Sequence, residues 1–336
     1  MAAEVELFDD LDAVELDAGA ALTRQARPWM FDRLDWFRLV HQFTPPVGKL
    51  LALRARNGAA SAWLFLAKDG ASALAFSNWY CLRFGPVVDG DNADAAVAEL
   101  VRGLRRGGIS RLFLSPVGEG DPLPRALRRL GWLTRLEQTS VNWRISTKGM
   151  SFEDYWAGRP SKLRNTARRR AKSAALELRV LERFEAAAWA DYESVYNASW
   201  KPAEGSPELM RKFAEQEGAA GTLRLGLAYM DGKAVAAQLW TVENKVATIH
   251  KLAYREDAKQ HSPGTVLSVE MFRRAIDLDR VDMIDFGFGD HGYKADWMDQ
   301  SAPLYSLTAY DLMSFSGLAG IVRSATSKLV RRTRND

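Results

Sequence analysis

Residues 223–254 read LRLGLAYMDGKAVAAQLWTVENKVATIHKLAY, which is the pattern of an antiparallel meander. Two apolar runs, 223–230 and 234–242, are separated by Asp231-Gly232, a dipeptide that favours two-residue hairpin turns. A third apolar run, 245–254, follows after a second turn. The stretch therefore predicts three consecutive antiparallel strands.

The elements around this meander form an order that occurs twice in the chain. A helix over 187–200 precedes the meander, and a helix over 264–277 and a strand over 283–286 follow it. The first half repeats this order with a helix, three strand-like runs, a second helix and a strand, over 28–42, 50–54, 62–67, 71–80, 93–106 and 112–115. The repeated order predicts two similar domains.

The fold class that we expect is α/β (α+β), with two tandem domains that each contain a mixed, mostly antiparallel sheet flanked by helices. A chain of 336 residues is long enough for two separate cores. Polar residues and a glycine at 147–149 separate the two patterned halves. We therefore predict an N-terminal domain over 1–147, a C-terminal domain over 148–313 and a tail over 314–336.

Composition excludes several classes of protein. The formal net charge of +4 is small for this length, so it does not by itself indicate nucleic-acid binding. The only cysteine, Cys81, excludes an intramolecular disulfide and lies in an apolar stretch that favours a buried thiol. The acidic N-terminus does not resemble a signal peptide, and no apolar run approaches the ~18 residues of a membrane span. We expect a cytoplasmic protein.

The most informative run for function is 281–297, VDMIDFGFGDHGYKADW. A short strand ends at Asp285, and a glycine-rich turn then presents Asp290, His291, Tyr293 and Lys294. Loops that follow strands are where α/β folds place their chemistry, so the run predicts a site. A purely structural turn, with Asp285 as a helix cap, is the alternative.

A second candidate site is the turn KQHSPGTVL at 259–267, between a strand and a helix. The free backbone N–H groups at a helix N-terminus bind phosphate or pyrophosphate, which makes Gln260, Ser262, Gly264 and Thr265 candidate cofactor-binding residues. The turn is not a Walker motif. Ser262 as a helix cap before Pro263 describes the same geometry without a ligand.

A basic helix is predicted between the two halves. Residues 162–172 hold six basic residues and no acidic one, so a merely solvated face is an unsatisfactory explanation. The absence of interleaved aromatic residues argues against specific DNA binding. We interpret the helix as one wall of a cleft for an anionic substrate, with Arg164 and Arg168 as its candidate ligands.

Histidine and tryptophan give weaker signals. The four histidines are scattered without a metal-binding motif, so we predict no metal centre. His250, inside the third strand of the meander, is a candidate general base, although a packed and hydrogen-bonded histidine is the alternative. Trp200 is a candidate substrate platform or a core residue.

Four pieces of sequence, taken together, resemble the FemAB-like branch of the GNAT acyltransferases, in particular the BioF2-like acetyltransferase domain found with bacterial cellulose and exopolysaccharide loci. They cover about residues 151–305: the basic helix 162–169, the Gly232 hairpin, the turn at 262–264, and the run from Asp285 to Trp297. The resemblance implies two GNAT-like domains, with acetyl-CoA or another acyl-CoA held in the second. Gln260 to Thr265 would take the place of the pyrophosphate loop, although the spacing and the second glycine of that loop differ here.

The function implied is transfer of an acyl group from acyl-CoA to an amine or hydroxyl of an anionic sugar nucleotide or lipid-linked saccharide, without a covalent enzyme intermediate. Asp285 would accept the proton of the nucleophile or orient it, and Lys294 would stabilise the oxyanion or an acceptor phosphate. Tyr293 would protonate the leaving thiolate. Arg164, Arg168, Trp200 and Asp290 would bind the acceptor. An aminoacyl-tRNA-dependent transferase and a non-catalytic nucleotide-binding module remain alternatives.

The tail, 314–336, combines an apolar stripe with basic residues. This pattern suits the surface of an anionic inner membrane, which predicts peripheral contact there. A final helix packed on its own domain is the alternative.

Overall fold

The computed structural model describes residues 4–91, 93–173, 176–290 and 292–332. The described chain forms two compact units. Unit 1 comprises Met1–Ser140 and Pro303–Asp336, and unit 2 comprises Val141–Ala302.

The secondary-structure elements are numbered in chain order. The first half of the chain contains β1 (Glu4–Phe8), α1 (Leu11–Ala18), α2 (Leu34–Phe43), β2 (Lys49–Asn57), β3 (Ala60–Asp69), β4 (Ser72–Ala75), β5 (Val87–Asp89), α3 (Ala93–Arg106), β6 (Arg111–Gly118), α4 (Pro122–Arg129) and β7 (Trp132–Ser146). The second half contains α5 (Phe152–Ala157), α6 (Ser161–Ser173), β8 (Glu177–Leu181), α7 (Ala186–Asn197), α8 (Pro207–Ala219), β9 (Leu223–Met230), β10 (Lys233–Glu243), β11 (Val246–Tyr254), α9 (Pro263–Arg273), β12 (Met283–Phe288), β13 (Gln300–Asp311) and α10 (Phe315–Arg332).

The two units have sheets of the same design. In unit 1 the strand order is β1-β2-β3-β4-β6-β13, and in unit 2 it is β7-β12-β11-β10-β9-β8. Each sheet has one parallel pair among antiparallel pairs, which is β4 with β6 in unit 1 and β11 with β12 in unit 2. The predicted fold class, two tandem domains with mixed and mostly antiparallel sheets, is confirmed.

Each unit completes its sheet with a strand that is distant in sequence from the strand it pairs with. Residues 142–146 of β7 pair with β12 in unit 2. Residues 304–310 of β13, which follow unit 2 in the chain, pair with β6 in unit 1. The units therefore divide at 140/141 and 302/303, whereas the sequence suggested 147/148 and 313/314. Sequence pattern shows where elements change but not which strand pairs with which.

The core of unit 2 is built around aromatic rings on the α9 face of the sheet. Phe272 of α9 is stacked on Tyr155 of α5 at 5.1 Å between ring centroids, and it meets Trp240 of β10 edge-on at 5.2 Å. Trp297 packs on the same ring at 4.9 Å. Burial of such rings is the main stabilising contribution of this layer.

Local sequence explains several helix ends. Ser151 and Asp154 form a capping box at the start of α5. Pro207 and Pro263 stand at the first positions of α8 and α9, where a missing N–H costs nothing. None of the helices in the described parts of the chain is long and apolar enough to cross a bilayer.

Two predicted elements of unit 1 are shorter than expected. The third strand-like run, 71–80, is strand only over Ser72–Ala75, because Asn78 then forms a side-chain turn by accepting the N–H of Tyr80. The helix predicted from residue 28 begins at Leu34, because the buried Arg33 donates to the carbonyls of Arg27 and Pro28 and holds that segment in turns. Helix α8 had no sequence prediction.

Candidate active site

The site in unit 2 lies where two parallel strands separate. Strands β11 and β12 are paired only over three residues of each, from Val246 with Met283 to Thr248 with Asp285. Beyond Thr248, no described residue continues the ladder on this side of β11. The backbone N–H and C=O groups at this edge are therefore available to a ligand that lies along the strand.

A β-bulge shapes the β12 side of this opening. The register of β12 against β7 shifts between Asp285 and Gly287, and Gly287 has a φ of +67° that favours glycine. Asp285 is 3% exposed and accepts hydrogen bonds from Asn142 Nδ2 at 3.0 Å and from the Gly287 N–H at 2.8 Å. Burial raises the pKa of Asp285, and the two hydrogen bonds act in the opposite direction. Asp285 thus holds the bulge in place.

Lys294 closes the turn after β12. It lies in the short 3₁₀ helix Gly292–Asp296, is 5% exposed, and donates hydrogen bonds to the carbonyls of Phe288 at 2.7 Å and Phe286 at 3.0 Å. The Gly287 carbonyl lies at 3.4 Å. Burial, with repulsion from Lys201, lowers the pKa of Lys294 to about 8. All three ammonium hydrogens are therefore directed at the backbone of the turn.

Lys201, after α7, is a second lysine of the site and is half-buried. Burial, with repulsion from Lys251, lowers its pKa to about 8. Its ammonium group lies 5.8 Å from the ring centroid of Trp200. Among the residues that the structure describes, no carboxylate pairs with Lys201 and no acceptor takes a hydrogen bond from its Nζ. The ammonium group of Lys201 thus has the Trp200 ring and the nearby charge of Glu204 as neighbours, but no ion pair or hydrogen-bond acceptor in the described chain.

A third lysine is neutralised by an ion pair. Lys251 Nζ lies 3.0 Å from Glu204 and 5.2 Å from the ring centroid of Tyr196. Burial lowers the pKa of Lys251. The pair keeps Lys251 and Glu204 fixed beside Lys201.

Tyr254, at the end of β11, links the turn before α9 to these lysines. Trp200, which is 46% exposed, packs on it at 4.3 Å between centroids. A Cβ atom on Gly264 would lie 3.1 Å from the ring of Tyr254. Tyr293 is 43% exposed, and partial burial together with Tyr254 raises its pKa to about 12. Tyr254 is therefore the common neighbour of Gly264, Trp200 and Tyr293.

The predicted pyrophosphate turn begins α9. Ser262 is the residue before the helix, in a left-handed conformation with φ of 50°, and its side chain makes no capping hydrogen bond. Its carbonyl accepts the N–H of Thr265 at 3.1 Å. Gln260 is exposed in the 3₁₀ helix Glu256–His261 that occupies the preceding turn. The turn thus contains more helical structure than a glycine-rich pyrophosphate loop.

Arg164 and Arg168 lie at a different place in unit 2. They line a cavity of about 520 Å³ between α6 and α9, together with Trp156 and Arg273. The buried Nε of Arg164 makes no hydrogen bond to any described residue. The floor of the cavity is apolar, with Leu178, Val266 and Val269. The arrangement suits an anion attached to an apolar or planar group.

His250 is packed into the sheet. The pairing of β10 with β11 shifts register at this residue, and its Nε2 lies 2.8 Å from Thr241 Oγ1. Its ring meets Phe213 of α8 edge-on at 5.0 Å. Burial lowers the pKa of His250 to about 4, so the ring is neutral at neutral pH.

This burial predicts a pH effect on stability that depends on His250. The ring's pKa is about 4 when folded against 6.5 when free, so the unfolded chain binds the proton more readily and folding is weakened as pH falls from 6.5 to 4. His250→Gln keeps an amide for Thr241 and removes the titration. Between pH 7.5 and pH 4, the free energy of unfolding measured in urea should fall in both proteins. We expect this fall to be roughly 3 kcal/mol smaller in His250→Gln than in the wild type.

The exposed His41 on α2 provides the control, because His41→Gln should follow the wild-type curve. Equal acid sensitivity of His250→Gln and the wild type would show that His250 is not held neutral.

The sequence also singled out Asp290, His291 and Cys81. Asp290 is exposed, and His291 lies outside the described residues. Cys81 is in unit 1, where burial raises the pKa of its thiol to about 12. Within the described parts of the chain, no three His, Cys, Asp or Glu side chains are placed to hold a metal ion.

Sequence reasoning missed four contributors to the site: Asn142, Lys201, Glu204 and Lys251. Lys201 and Lys251 stand next to residues that were singled out, Trp200 and His250. A lysine between two apolar or aromatic neighbours is a signal for burial that could have been used. Nothing in the sequence links Asn142 to Asp285, which is 143 positions away.

The comparison with family models agrees with the geometry. Residues 159–295 match the model of an acetyltransferase (GNAT) domain. The match begins just before α6 and ends one residue after Lys294. It therefore covers most of unit 2 and the opening between β11 and β12. No curated protein matched the sequence.

Solved structures with a similar fold span both units. FemX has a TM-score of 0.58 at 10% identity, over 83% of this chain and 95% of that one. L-PGS from Bacillus licheniformis has a TM-score of 0.54 at 12% identity, over 88% and 96%. A tandem GNAT protein from the clavulanic acid biosynthesis pathway has a TM-score of 0.51 at 15% identity, over 91% and 98%. These likenesses show the tandem GNAT fold.

Proposed function

We propose that the protein is an acyltransferase that moves an acyl group from acyl-CoA to an amine of an anionic saccharide precursor. The observation that carries the proposal is the opening between β11 and β12, with Lys201 and Lys294 beside it. A pantetheine arm is an extended chain with two amides, so it can bind the free edge of β11 as an added strand would.

The chemistry requires one proton acceptor. The amine nitrogen attacks the thioester carbonyl, a C–N bond forms, the C–S bond breaks, and the proton of the amine is lost. Lys201, with a pKa of about 8 and no ion pair or hydrogen-bond acceptor for its ammonium group among the described residues, is the side chain suited to accept that proton in its neutral form. The thiolate of coenzyme A leaves and is protonated by solvent or Tyr293.

Lys294 and Asp285 take positioning roles in this proposal. The sequence suggested that Lys294 stabilises an oxyanion and that Asp285 accepts a proton. In the structure, the hydrogens of Lys294 are directed at carbonyls, and both carboxylate oxygens of Asp285 accept hydrogen bonds. They fix the backbone of the bulge on which the opening depends. The charge of Lys294 also favours an oxyanion formed nearby.

The cavity with Arg164 and Arg168 is where the proposal places the anionic part of the acceptor. The unsatisfied Nε of Arg164 and the nearby Arg273 supply charge, and Trp156 supplies a planar surface. A nucleoside diphosphate or a lipid phosphate satisfies these features.

Incubation of the full-length protein with acetyl-CoA and a panel of UDP-linked amino sugars tests the proposal. We expect release of free thiol to match the formation of an N-acetylated sugar by mass spectrometry. Tight binding of the nucleotide sugar with no turnover of any thioester would instead identify a non-catalytic binding module.

Gly264 provides a test of the donor position. A Cβ at this residue would meet the Tyr254 ring at 3.1 Å, so Gly264→Val should displace the ring from the opening. We expect the KM for acyl-CoA to rise about tenfold or more, with a smaller change for the acceptor. Gly118→Val, where a side chain meets nothing within 4 Å, is the control. A change in the acceptor KM alone would place coenzyme A elsewhere.

A second candidate, transfer from an aminoacyl-tRNA, is favoured by helix α6. Its basic residues include Lys162, Arg169 and Lys172 and are not accompanied by any acid, which suits a phosphate backbone. Incubation with radiolabelled aminoacyl-tRNA in place of acyl-CoA distinguishes the two donors.

A further inference from the structure

A separate cavity of about 230 Å³ lies between α7 and α8. Its walls are aromatic and acidic: Trp189, Tyr192, Tyr196, Glu193 and Glu204, with Asn197 at the end of α7. We refer to it as the α7–α8 cavity.

The aromatic wall consists of successive turns of α7. Trp189 stacks on Tyr192 at 4.6 Å between centroids, and Tyr192 lies 6.1 Å from Tyr196. All three side chains are at most 7% exposed. Rings fixed in this way present electron-rich faces, which attract cations more strongly when water is excluded.

The acidic wall carries an excess negative charge. Glu204 is paired with Lys251, so its charge is balanced. Glu193 accepts a hydrogen bond from Trp189 Nε1 at 2.9 Å and forms no ion pair with any residue that the structure describes. A half-buried carboxylate that is held by a neutral indole beside aromatic rings offers a counter-ion to a cation.

The α7–α8 cavity also adjoins the candidate active site. Tyr196 and Glu204 line the cavity, and both also contact the ammonium group of Lys251. Lys251 in turn acts on Lys201, whose pKa it helps to lower. A group bound in the cavity therefore lies on the same side of β11 as the proposed proton acceptor.

We propose that the α7–α8 cavity binds an ammonium or guanidinium group carried by one of the two substrates, with Glu193 as its counter-ion and Tyr192 and Tyr196 as its aromatic contacts. A cavity of about 230 Å³ holds such a group on a chain of a few carbons. The group is a recognition element and does not react. The proposal rests on the acyltransferase function, because it treats the bound cation as part of a substrate.

Binding tests the cavity without reference to turnover. Isothermal titration of full-length protein with cadaverine should show saturable binding, and 1,5-pentanediol, of the same length without charge, should not bind. Glu193→Gln should raise the Kd of cadaverine about tenfold. Glu208→Gln, an exposed carboxylate of α8 with no ion pair among the described residues, is the matched control and should bind like the wild type.

Equal binding by wild type and Glu193→Gln, or equal binding of the diol and the diamine, would overturn the proposal. Absence of cadaverine binding to the folded wild type would overturn it as well. Acyl transfer by a protein that does not bind cadaverine would leave the function standing and remove the cavity assignment. Cadaverine binding without any acyl transfer would keep the cavity and remove the function.

Two pairs of substrates, each matched in length and differing in charge, show whether the cation belongs to the acyl group or to the acceptor. A higher kcat/KM for β-alanyl-CoA than for butyryl-CoA, lost in Glu193→Gln, places the cation on the acyl group. A higher kcat/KM for cadaverine than for hexylamine as acceptor, lost in the same variant, places it on the acceptor. If neither preference depends on Glu193, the cation does not belong to a substrate and the proposal fails.

Discussion

Replacement of Lys201 by methionine is expected to lower the turnover number by ~10²-fold or more. Methionine preserves most of the volume of the side chain but cannot accept a proton. Burial places the pKa of Lys201 at about 8, so the wild-type rate should rise with pH and level off above pH 8. Stopped assays of thiol release between pH 6 and pH 10 measure both effects.

The pH dependence separates a chemical role of Lys201 from a structural one. In Lys201→Met the rising part of the profile should disappear, and the residual rate should be flat. Lys212→Met, an exposed lysine of α8, serves as the control. A variant with low activity but an unchanged profile would assign the proton transfer to another group.

Lys294→Ala is expected to affect both stability and turnover. The ammonium group is 5% exposed and its loss leaves the carbonyls of Phe286 and Phe288 without their donor. The cost of such unsatisfied groups is about 2–4 kcal/mol in the free energy of unfolding. Because the turn then loses its fixed shape, turnover should fall by ~10²-fold.

The profile of the remaining activity identifies the role of Lys294. If it positions the turn, the residual rate of Lys294→Ala keeps a rising limb near pH 8, since Lys201 is still present. If Lys294→Ala loses the rising limb while Lys201→Met keeps it, Lys294 is the proton acceptor and Lys201 is the positioning residue. Unfolding in urea, measured alongside, shows whether the fold survives at the assay temperature.

Much of unit 2 could be predicted from local patterns. The strand β9 has the predicted limits, and the hairpin at Asp231-Gly232 joins it to β10 as expected. Apolar periodicity and turn residues act over a few positions, so a sequence records them directly. Helix α8 was missed although its pattern is helical: its buried residues recur at helical spacing and are Leu209, Met210, Phe213, Ala214, Glu217 and Gly218.

The site was only partly predictable because its parts come from distant positions. The glycines in the run from Asp285 to Lys294 indicated a site, and both of these residues lie at the opening. Lys201 and Glu204, by contrast, become relevant only because the chain brings the end of α7 to Lys251. Burial of a lysine depends mainly on tertiary packing, of which its apolar or aromatic neighbours in the sequence give only a weak signal.

The boundary between the units falls inside β7, at 140/141, and this limits where the gene can be divided. A fragment that starts at the glycine-containing linker, residue 148, would omit the six residues 141–146 of unit 2 that include the partner strand of β12. It would thus lack Asn142, which donates to Asp285 at the bulge. The segment from 141 to 302 keeps these contacts, so we expect the shortest foldable member of a truncation library to start near residue 141 and not at 148.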